Sequence, residues 1–343
     1  MLLKKLLPFI GVLLFNTAGG QWAQNFTAPT GVTNITVSGG SETEESYTFI
    51  STAYNQEPVY SGLVDDITGA ILTLEDFTGT DLEEPVFEDN ELTLTPHLLR
   101  LVDGNADGNA DVSSTVNGMV FLVVGHVGNE IFINATEAEV ATYFALYDGI
   151  EIIKANTLES LFGIGEDFVG LSGKPSSGDN ILIWNSVGWK IYFYYNNKWQ
   201  TFGTRSDQKG TIIYPDEGMV YVRRGDQLVL SFSGYAPLSV HSYLPPAGYK
   251  FLTSNPFPLA MSLSQLIDTS ANWSSDPAVN DADQILVWEN SAWSVYYHDA
   301  NNWRNSMTGE IEDKLIEAGS SFMVLRCDDA WLVERYNKID LPQ

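Results

Sequence analysis

Cysteine and positive charge are both scarce in this chain of 343 residues. It has one cysteine, Cys327, and 17 Lys and Arg against 44 Asp and Glu. One thiol cannot form an internal disulfide, so the burial of a large core has to stabilise the fold. The formal net charge of −27 makes nucleic acid and anionic lipid very poor partners. Cys327 ends the apolar run of residues 320–327, which predicts a buried thiol.

The sequence also lacks the motifs of the common catalytic centres. Its four histidines are not spaced as metal ligands, and it has no Gly-x-Ser-x-Gly, His-Glu-x-x-His or phosphate-binding glycine loop. Carboxylates are so abundant that pairs of them carry no information about a glycosidase site. We therefore expect that the protein is not an enzyme, and a secreted hydrolase is the weakest alternative.

Only one long apolar segment is present, and it lies at the start of the chain. Lys4 and Lys5 precede the apolar residues 6–15, and Ala18 and Gly20 follow at suitable cleavage positions. This order is typical of a secretory signal peptide, and about ten apolar residues are too few to span a bilayer comfortably. We predict that residues 1–20 are removed and that the protein is secreted, either extracellular or at the cell surface, with the periplasm as an alternative.

A segment in the second half of the chain occurs twice. Residues 179–199 and 283–303 align at an offset of 104 with 8 of 21 positions identical. The identical pairs are Asp179/Asp283, Ile181/Ile285, Leu182/Leu286, Trp184/Trp288, Trp189/Trp293, Tyr192/Tyr296, Asn197/Asn301 and Trp199/Trp303. Such a period predicts two copies of one small folding unit.

Short alternating or β-branched segments, separated by turn residues, predict an all-β protein. We expect an acidic N-terminal β-domain followed by two tandem related β-meander modules. The predicted divisions are a flexible segment at 21–45, the acidic domain at 46–150, and the modules at 151–240 and 241–343.

Three segments are predicted to be helical. Ala135–Leu146 has Thr136 followed by Glu139, which is a capping-box pattern. Leu158–Phe162 and Leu263–Ile267 each fit one short helical turn at corresponding places in the two modules.

Negative charge is concentrated in the first half of the mature chain. Residues 21–153 contain 22 Asp and Glu but a single base, whereas residues 154–343 contain 22 acids and 14 bases. Residues 75–91 hold eight acids and no base. One interpretation is a solvated surface that keeps the protein soluble, and the other is a surface for divalent cations or a cationic partner.

The run that starts at Asp103 has the pattern of a calcium-binding loop. Asp103, Asn105 and Asp107 occupy the first, third and fifth positions of a D-x-N-x-D-G loop, and Asn109 and Asp111 continue the alternation. Hard cations need several converging oxygens, which alternating Asp and Asn supply. The glutamate usual at the twelfth position is absent, so a polar hairpin tip is the alternative. For calcium we expect a structural site with a weak extracellular affinity of about 10⁻⁴–10⁻³ M.

Tryptophan and tyrosine are plentiful, with 9 and 16 residues, and several recur in both modules. Strand alternation places Trp189 and every second residue after it on the core face, and Tyr192 and Tyr194 on the opposite, mixed face. Tyr296 is the counterpart of Tyr192. Exposed rings at Tyr192, Tyr194 and Tyr296 would bind a sugar ligand by stacking, with avidity from two copies. The main interpretation, however, is that the repeated aromatics fill small cores, because a repeated fold alone explains why they recur.

The residue pattern of the repeats resembles that of a known family. The first copy has the block ILIW…GW.IYFYYN..W and the second a variant of it, each followed by a glycine-led strand, GMVYVR or GSSFMVLR. This pattern resembles an uncharacterised family of secreted verrucomicrobial proteins, over most of the mature chain and loosely over residues 21–110. The turn at Asn196 and Asn197 departs from the family's usual Asn-Gly. The family has no assigned activity, so the resemblance implies export and repeats but no site.

These observations predict a secreted, non-enzymatic structural or adhesive protein, and one of the two interpretations of the loop after Asp103 adds structural calcium. A carbohydrate-binding protein that uses exposed aromatics of both copies is the alternative from a different class. Cell-surface polysaccharide and a second copy of the chain are the partners that fit these hypotheses.

Calcium is expected to raise the thermal unfolding midpoint of the mature protein by several degrees, because a ligand that binds only the folded state stabilises it. The Asp107→Ala variant is expected to lose this rise. Calorimetry with calcium and with a chelator measures both proteins. Equal unfolding midpoints for the wild-type protein in the two solutions would contradict the calcium site. The acidic residues would then be interpreted as a solvated surface that keeps the protein soluble.

Overall fold

The structure of the protein is a computed structural model, and its fold is all-β, as predicted. It describes residues 30–78, 82, 86–88, 91–93, 95–103, 117–185, 188–204, 206–237, 239–244, 250–267, 269, 273–327 and 333–338. Within these residues no helix has the length and apolar character that crossing a membrane requires.

The elements follow one another in three groups along the chain. The first strands are β1 (Thr30–Val37) and β2 (Ser46–Ile50). Next come β3 (Pro58–Thr68), β4 (Ile71–Leu74), β5 (Val86–Glu88), β6 (Glu91–Thr93), β7 (His97–Asp103), β8 (Val120–Val127), β9 (Glu130–Ile133), α1 (Glu137–Tyr143) and β10 (Gly149–Lys154). They are followed by β11 (Asn156–Thr157), α2 (Leu158–Phe162), a 3₁₀ turn (Gly165–Asp167), β12 (Asn180–Asn185), β13 (Gly188–Tyr195), β14 (Lys198–Thr201), β15 (Ile212–Ile213), β16 (Met219–Arg223) and β17 (Leu228–Tyr235). The last are β18 (Ser239–Leu244), β19 (Lys250–Ser254), β20 (Met261–Ser262), α3 (Leu263–Leu266), β21 (Gln284–Glu289), β22 (Ala292–His298), β23 (Trp303–Asn305), β24 (Leu315–Ile316), β25 (Ser321–Leu325) and β26 (Val333–Lys338).

Two copies of one fold account for all strands outside β3–β10. The main sheet of one copy has the order β14–β13–β12–β16–β2, and that of the other has the order β23–β22–β21–β25–β19. Each copy adds a two-stranded ribbon, β1–β17 or β18–β26, and a short strand pair, β11–β15 or β20–β24. Each described strand of one copy therefore has a counterpart in the other in the same chain order, and so have α2 and α3. We call the copies repeat 1 (residues 30–57 and 155–237) and repeat 2 (residues 239–338).

The acidic domain is inserted into repeat 1 and does not precede it. Strand β1 pairs with β17 along all eight of its residues, and β2 pairs with β16. The predicted flexible segment at 21–45 and the predicted domain start at residue 46 therefore differ from the structure, which places residues 30–50 in repeat 1. These strands pair with partners far along the chain, and local sequence patterns carry no information about such pairing.

The inserted domain is a closed six-stranded barrel with the order β10–β3–β4–β9–β8–β7. Its interior is apolar and includes Leu72, Leu99, Ile131 and Ile152, none of which has exposed surface. Closure of the barrel leaves no open sheet edge, so this domain can stand outside the two repeats.

Helix α1 covers the barrel core and begins with the predicted capping box. Thr136 Oγ1 accepts a hydrogen bond from the Glu139 N–H at 3.2 Å, and Glu139 Oε2 accepts one from the Thr136 N–H at 2.7 Å. The side chain of Val140 is fully buried in the barrel core. The two single-turn helices predicted in the repeats are present as α2 and α3.

The two repeats pack sheet against sheet. Val220 and Val222 of repeat 1 are buried against Leu252 and Met323 of repeat 2. Beside them, the ring of Phe49 from repeat 1 meets Trp293 edge to face, with centroids 4.9 Å apart. Because apolar burial stabilises in proportion to area, this contact joins the repeats into one core.

The contact between the repeats has approximate two-fold symmetry. Glu217 of repeat 1 forms an isolated β-bridge with Thr253 of repeat 2. Ser320, the counterpart of Glu217, forms the matching bridge with Ile50, the counterpart of Thr253. An interface of this kind is what two copies of one unit form when they associate around a two-fold axis.

One buried ion pair occurs at the same place in each repeat. Asp179 contacts Arg223 in repeat 1, and Asp283 contacts Arg326 in repeat 2, where Oδ2 lies 2.8 Å from Nε. Both side chains of the second pair have no exposed surface. Moving such charges out of water costs several kcal/mol each, so the pair is stable only when further hydrogen bonds satisfy it.

Backbone N–H groups supply those hydrogen bonds to the aspartate. Asp283 accepts them from Ser274 at 2.8 Å and from Cys327 at 2.7 Å. The equivalent donors to Asp179 are Leu171 at 2.8 Å and Arg224 at 2.9 Å. The aspartate thus ties the loop before β12 or β21 to the segment that follows β16 or β25.

Cys327 lies at the surface, so the predicted buried thiol is wrong. The residue follows the end of β25, where its N–H turns inward to Asp283. Its Sγ lies 2.9 Å from the carbonyl oxygen of Ala282.

Asp283→Ala is expected to lower the free energy of unfolding by about 3–5 kcal/mol, because it leaves the Arg326 guanidinium buried without its carboxylate. Urea unfolding followed by tryptophan fluorescence measures the loss. The matched control is Glu159→Ala, which removes an exposed carboxylate 3.7 Å from Lys209 and should cost no more than about 1 kcal/mol. Equal losses in the two variants would contradict the assigned role of the buried pair.

Candidate functional site

The predicted calcium loop starts at the end of the barrel that is remote from repeat 1. Strands β7 and β10 pair from His97 and Lys154 at one end to Asp103 and Gly149 at the other. The chain passes from Lys154 directly into repeat 1, so the first end is the attached one. Asp103 is the last residue of β7 and lies at the opposite, distal end.

Hydrogen bonds close the base of this loop. The Leu101 N–H donates to the Met119 carbonyl at 2.9 Å, and the Gly118 N–H donates to the Leu101 carbonyl at 2.7 Å. The segment between β7 and β8 therefore leaves and re-enters the barrel at neighbouring points.

Of the five residues predicted to bind calcium, Asp103 alone has a described backbone position. The other four lie outside the described residues, and they are Asn105, Asp107, Asn109 and Asp111. Among the residues that the structure describes, no three His, Cys, Asp or Glu side chains are placed to hold a metal ion. The calcium site stays a prediction.

A strained loop lies at the same distal end, beside Gly149. Tyr147 has a φ of 69°, a left-handed conformation that is uncommon for an aromatic residue, and its ring is 60% exposed. Its N–H donates to the Val64 carbonyl at 2.7 Å, and the buried Asp148 accepts a hydrogen bond from the Ala145 N–H at 2.7 Å. These contacts hold an aromatic ring outward near the start of the acidic loop. No sequence pattern marked Tyr147, because a positive φ at a non-glycine residue depends on contacts elsewhere in the fold.

The three tyrosines predicted to bind sugar lie in the interior, so the predicted exposed aromatic face is wrong. Tyr192, Tyr194 and Tyr296 are 2%, 3% and 1% exposed. The Tyr194 ring stacks on Phe168 with centroids 4.3 Å apart, and its Oη accepts a hydrogen bond from the Gly165 N–H at 2.5 Å. The faces of these rings are covered by other side chains of the protein, so no sugar can stack on them.

Burial of both faces of each main sheet explains this error. Tyr192 and Tyr194 lie on the face that packs with α2 and the ribbon, in the core of repeat 1. Trp189, predicted to face the core, lies on the other face and is 37% exposed. It packs edge to face on Trp184, which belongs to the contact between the repeats. Alternation along a strand distinguishes two faces but does not show which is more completely covered.

A serine and a histidine that the sequence did not connect are paired in repeat 2. Ser275 Oγ lies 2.9 Å from His298 Nδ1. Burial lowers the pKa of His298, and the charge of Asp299 opposes this shift. The Asp299 carboxylate itself contacts Arg304. The arrangement therefore has a hydroxyl–imidazole contact, with the nearest charge already paired.

Two shallow depressions mark the surface of repeat 1. The larger, of about 370 Å³, lies against α2 and is lined by residues that include Glu159, Phe162 and Val169. The other, of about 350 Å³, is lined by residues 56–59 and Lys154, where the chain enters and leaves the barrel. Neither is lined by a histidine or by the predicted tyrosines.

The barrel rests on repeat 1 through a small apolar cluster. Leu98 and Ile153 of the barrel are buried together with Ala155, and Ile212 and Tyr214 of repeat 1 pack against them. This cluster is much smaller than the cores of the repeats, so the barrel is held by limited contact and by its two chain connections.

Glu217 lies where the barrel and both repeats meet. Its Oε2 accepts a hydrogen bond from the N–H of Tyr214 at 3.1 Å, and its backbone bridges to Thr253 of repeat 2. Burial raises the pKa of the Glu217 carboxyl to about 8; the hydrogen bond from Tyr214 opposes the rise and the charge of Asp216 adds to it. The junction therefore contains a carboxyl whose pKa is raised well above its ordinary value. The sequence offers no signal for it beyond one of many glutamates.

No protein-family model, curated protein or solved structure matches the chain. The resemblance to secreted verrucomicrobial proteins therefore stays a prediction, and the function has to be argued from the geometry.

Glu217→Gln is expected to raise the unfolding midpoint by several degrees at pH 8 and to have little effect at pH 4.5. Below its ordinary pKa of 4.5 the group is protonated in both states. Between that value and about 8 only the unfolded chain ionises, so stability falls as the pH rises through this window. Calorimetry across the window measures the difference between the variant and the wild-type protein.

The control for this variant is Glu130→Gln, which neutralises an exposed carboxylate on the barrel. We expect its midpoint to follow that of the wild-type protein over the same pH window. A difference between Glu217→Gln and wild type that does not change with pH would rule out the raised pKa of Glu217.

Proposed function

We propose that the protein is an exported, non-enzymatic structural or adhesive protein of the cell surface or extracellular matrix. In this proposal the two repeats form a rigid support, and the barrel binds cations or a cationic partner. The observation that carries the proposal is the insertion of the barrel between β2 and β11 of repeat 1. Both chain connections leave one end of the barrel, so the opposite end is free to meet a partner.

The charge of the barrel supports a cationic ligand. Residues 58–154 contain 18 Asp and Glu but only two bases, Arg100 and Lys154. Arg100 is already paired with Glu151 on the neighbouring strand, and both side chains are largely buried. A surface of one sign concentrates counter-ions and attracts oppositely charged partners.

The described exposed carboxylates are distributed over the barrel surface, and they are Asp65, Asp66, Glu75, Asp76, Glu130, Glu137 and Glu139. Dispersed charges of this kind favour a diffuse ion atmosphere or a flexible polycation. A defined ion needs converging oxygens, and within the barrel the Asp and Asn residues after Asp103 are the sequence that fits this need. Calcium at the distal end is therefore the specific form of the proposal.

The repeats suit the role of a support. Their sheets share one apolar interface, and each contains an ion pair that fixes a long loop. A stable base of this kind would keep the barrel at a fixed distance from whatever surface the repeats contact. We do not pursue the alternative of a two-copy carbohydrate-binding protein, because the three tyrosines that it requires at the surface are buried.

The proposal predicts that purified mature protein binds calcium-dependently to envelope fragments from cells that lack the gene. Pelleting in millimolar calcium, followed by a quantitative blot, measures the bound fraction, and a chelator should release the protein. Asp107→Ala is expected to reduce the bound fraction severalfold, because it removes a central ligand of the loop.

The matched control is Asp226→Ala, which removes the same charge from an exposed position of repeat 1. It should bind like the wild-type protein. Equal binding by Asp107→Ala and Asp226→Ala would show that adhesion does not depend on the predicted calcium loop. A protein that stays in the supernatant under all conditions would reject the adhesive role itself.

A further inference from the structure

The ribbon β1–β17 is a long uncharged surface on a strongly acidic protein. Its strands pair along eight residues and contain no Asp, Glu, Lys, Arg or His. Leu230 and Phe232 on the inner face are buried in the core of repeat 1. The outer face consists of exposed small polar and aliphatic residues, which are Thr30, Val32, Asn34, Thr36, Val229, Ser231 and Ser233.

Two glycines allow the ribbon to lie close against Tyr54 and Asn55 of the same repeat. Gly31 and Gly234 lie opposite each other, and a Cβ on either would collide with Tyr54 or Asn55. Asn55 and Tyr235 exchange two backbone hydrogen bonds of 2.9 Å at the end of β17. The outer edge of β17 is therefore engaged by the body of the repeat at its last residue, Tyr235.

Within the described part of the chain, the outer edge of β1 has no such partner. Among the described residues, the ribbon contains β1 and β17 alone, so β1 is an edge strand along its full length. Backbone N–H and C=O groups on such an edge form a template for another strand. Proteins commonly protect edges with short length, charge, proline or a bulge, and β1 has eight regularly paired residues with none of these.

The counterpart ribbon of repeat 2 carries the charges that repeat 1 lacks. Strand β26 contains Glu334, Arg335 and Lys338. These charges lie on the counterpart of β17, whereas the counterpart of β1 is β18, which also contains no Asp, Glu, Lys or Arg. Of the two ribbons, β1–β17 is therefore the one without a charged residue on either strand.

We propose that the edge of β1 is a self-association surface, at which β1 of a second copy pairs antiparallel and joins the two ribbons into one four-stranded sheet. A second copy carries the same high negative charge, so it can approach closely only where the surface is uncharged. The inference concerns assembly and does not depend on the ligand of the barrel.

The sequence of β1 suits pairing with itself around a two-fold axis. In an antiparallel register centred on Thr33, Thr30 faces Thr36 of the second copy, and Val32 faces Asn34. Cross-strand pairs of this kind bring no like charges together. The resulting dimer is closed, because each copy uses the same patch.

Repulsion between the copies makes this association depend on salt. Each chain carries a formal charge of −27 before the two lysines of the predicted signal peptide are lost. The range of that repulsion falls from about 30 Å at 0.01 M salt to about 8 Å at 0.15 M. We therefore expect the dimer to be more stable at the higher ionic strength.

Sedimentation velocity of the mature wild-type protein, at concentrations up to about 200 µM, tests the proposal at these two salt concentrations. The dimer fraction should rise with concentration and with salt. Val32→Glu changes a side chain that is 63% exposed and places two carboxylates near the axis, so the dissociation constant should increase about tenfold or more. Val127→Glu makes the same change on the barrel, at a side chain that is 66% exposed, and should dimerise like the wild-type protein.

A wild-type protein that stays monomeric under all these conditions overturns the proposal, as do equal dissociation constants for the two variants. Circular dichroism checks that each variant is folded, and Thr36→Glu on the same strand replaces Val32→Glu if that variant does not fold. Hydrogen exchange provides an independent measurement. The β1 amides should exchange more slowly as the concentration rises, and unchanged exchange there in a dimer would place the contact elsewhere.

Discussion

Burial of both faces of each five-stranded sheet is the constraint on which the rest of the structure depends. One face packs with a helical turn, joined in repeat 1 by the ribbon β1–β17, and the other face packs against the other repeat. A chain with one cysteine has no covalent brace, so the net stability of a few kcal/mol has to come from this burial. It also explains why so many aromatic residues recur. The large rings of Trp199 and Trp303 fill one position in the two copies of the core, and those of Tyr192 and Tyr296 fill another.

The sequence predicted the parts of the fold that are governed by local rules. Alternating apolar residues and turn residues predicted the hairpins of both repeats, and Thr136 with Glu139 predicted the start of α1. What could not be predicted depends on distant pairing. Strand β2 completes a sheet whose other strands follow the whole barrel in sequence, so the insertion is invisible to local patterns. The orientation of Tyr192 and Tyr194 was equally inaccessible, because a sheet that is buried on both sides gives apolar residues on both faces.

The recurrence of Asp179 and Asp283 has a stricter cause than the recurrence of the aromatics. Apolar side chains of similar volume can replace one another in a core at modest cost. A buried carboxylate that faces an arginine and two backbone N–H groups has no such substitute, because any change leaves charge or donors unsatisfied. Repeated sequence therefore marks the structural anchors of the repeats, and it is a poor guide to their binding surfaces. The features that favour binding occur in one copy alone: the inserted barrel and a ribbon with no charged residue on either strand.

Electrostatics connects these two features. The barrel gathers most of the unbalanced negative charge into a unit that touches repeat 1 through a small cluster. Self-repulsion within that unit is relieved when cations accumulate on it.

The same charge opposes the approach of a second copy, so the two proposed contacts respond to ionic strength in opposite directions. Salt screens the attraction between the barrel and a cationic partner, and it weakens the repulsion that keeps the β1 edges apart. An ion bound at the distal end of the barrel would lower the charge of each copy and so favour both contacts at once. Calcium concentration, unlike ionic strength, would then move adhesion and self-association in the same direction.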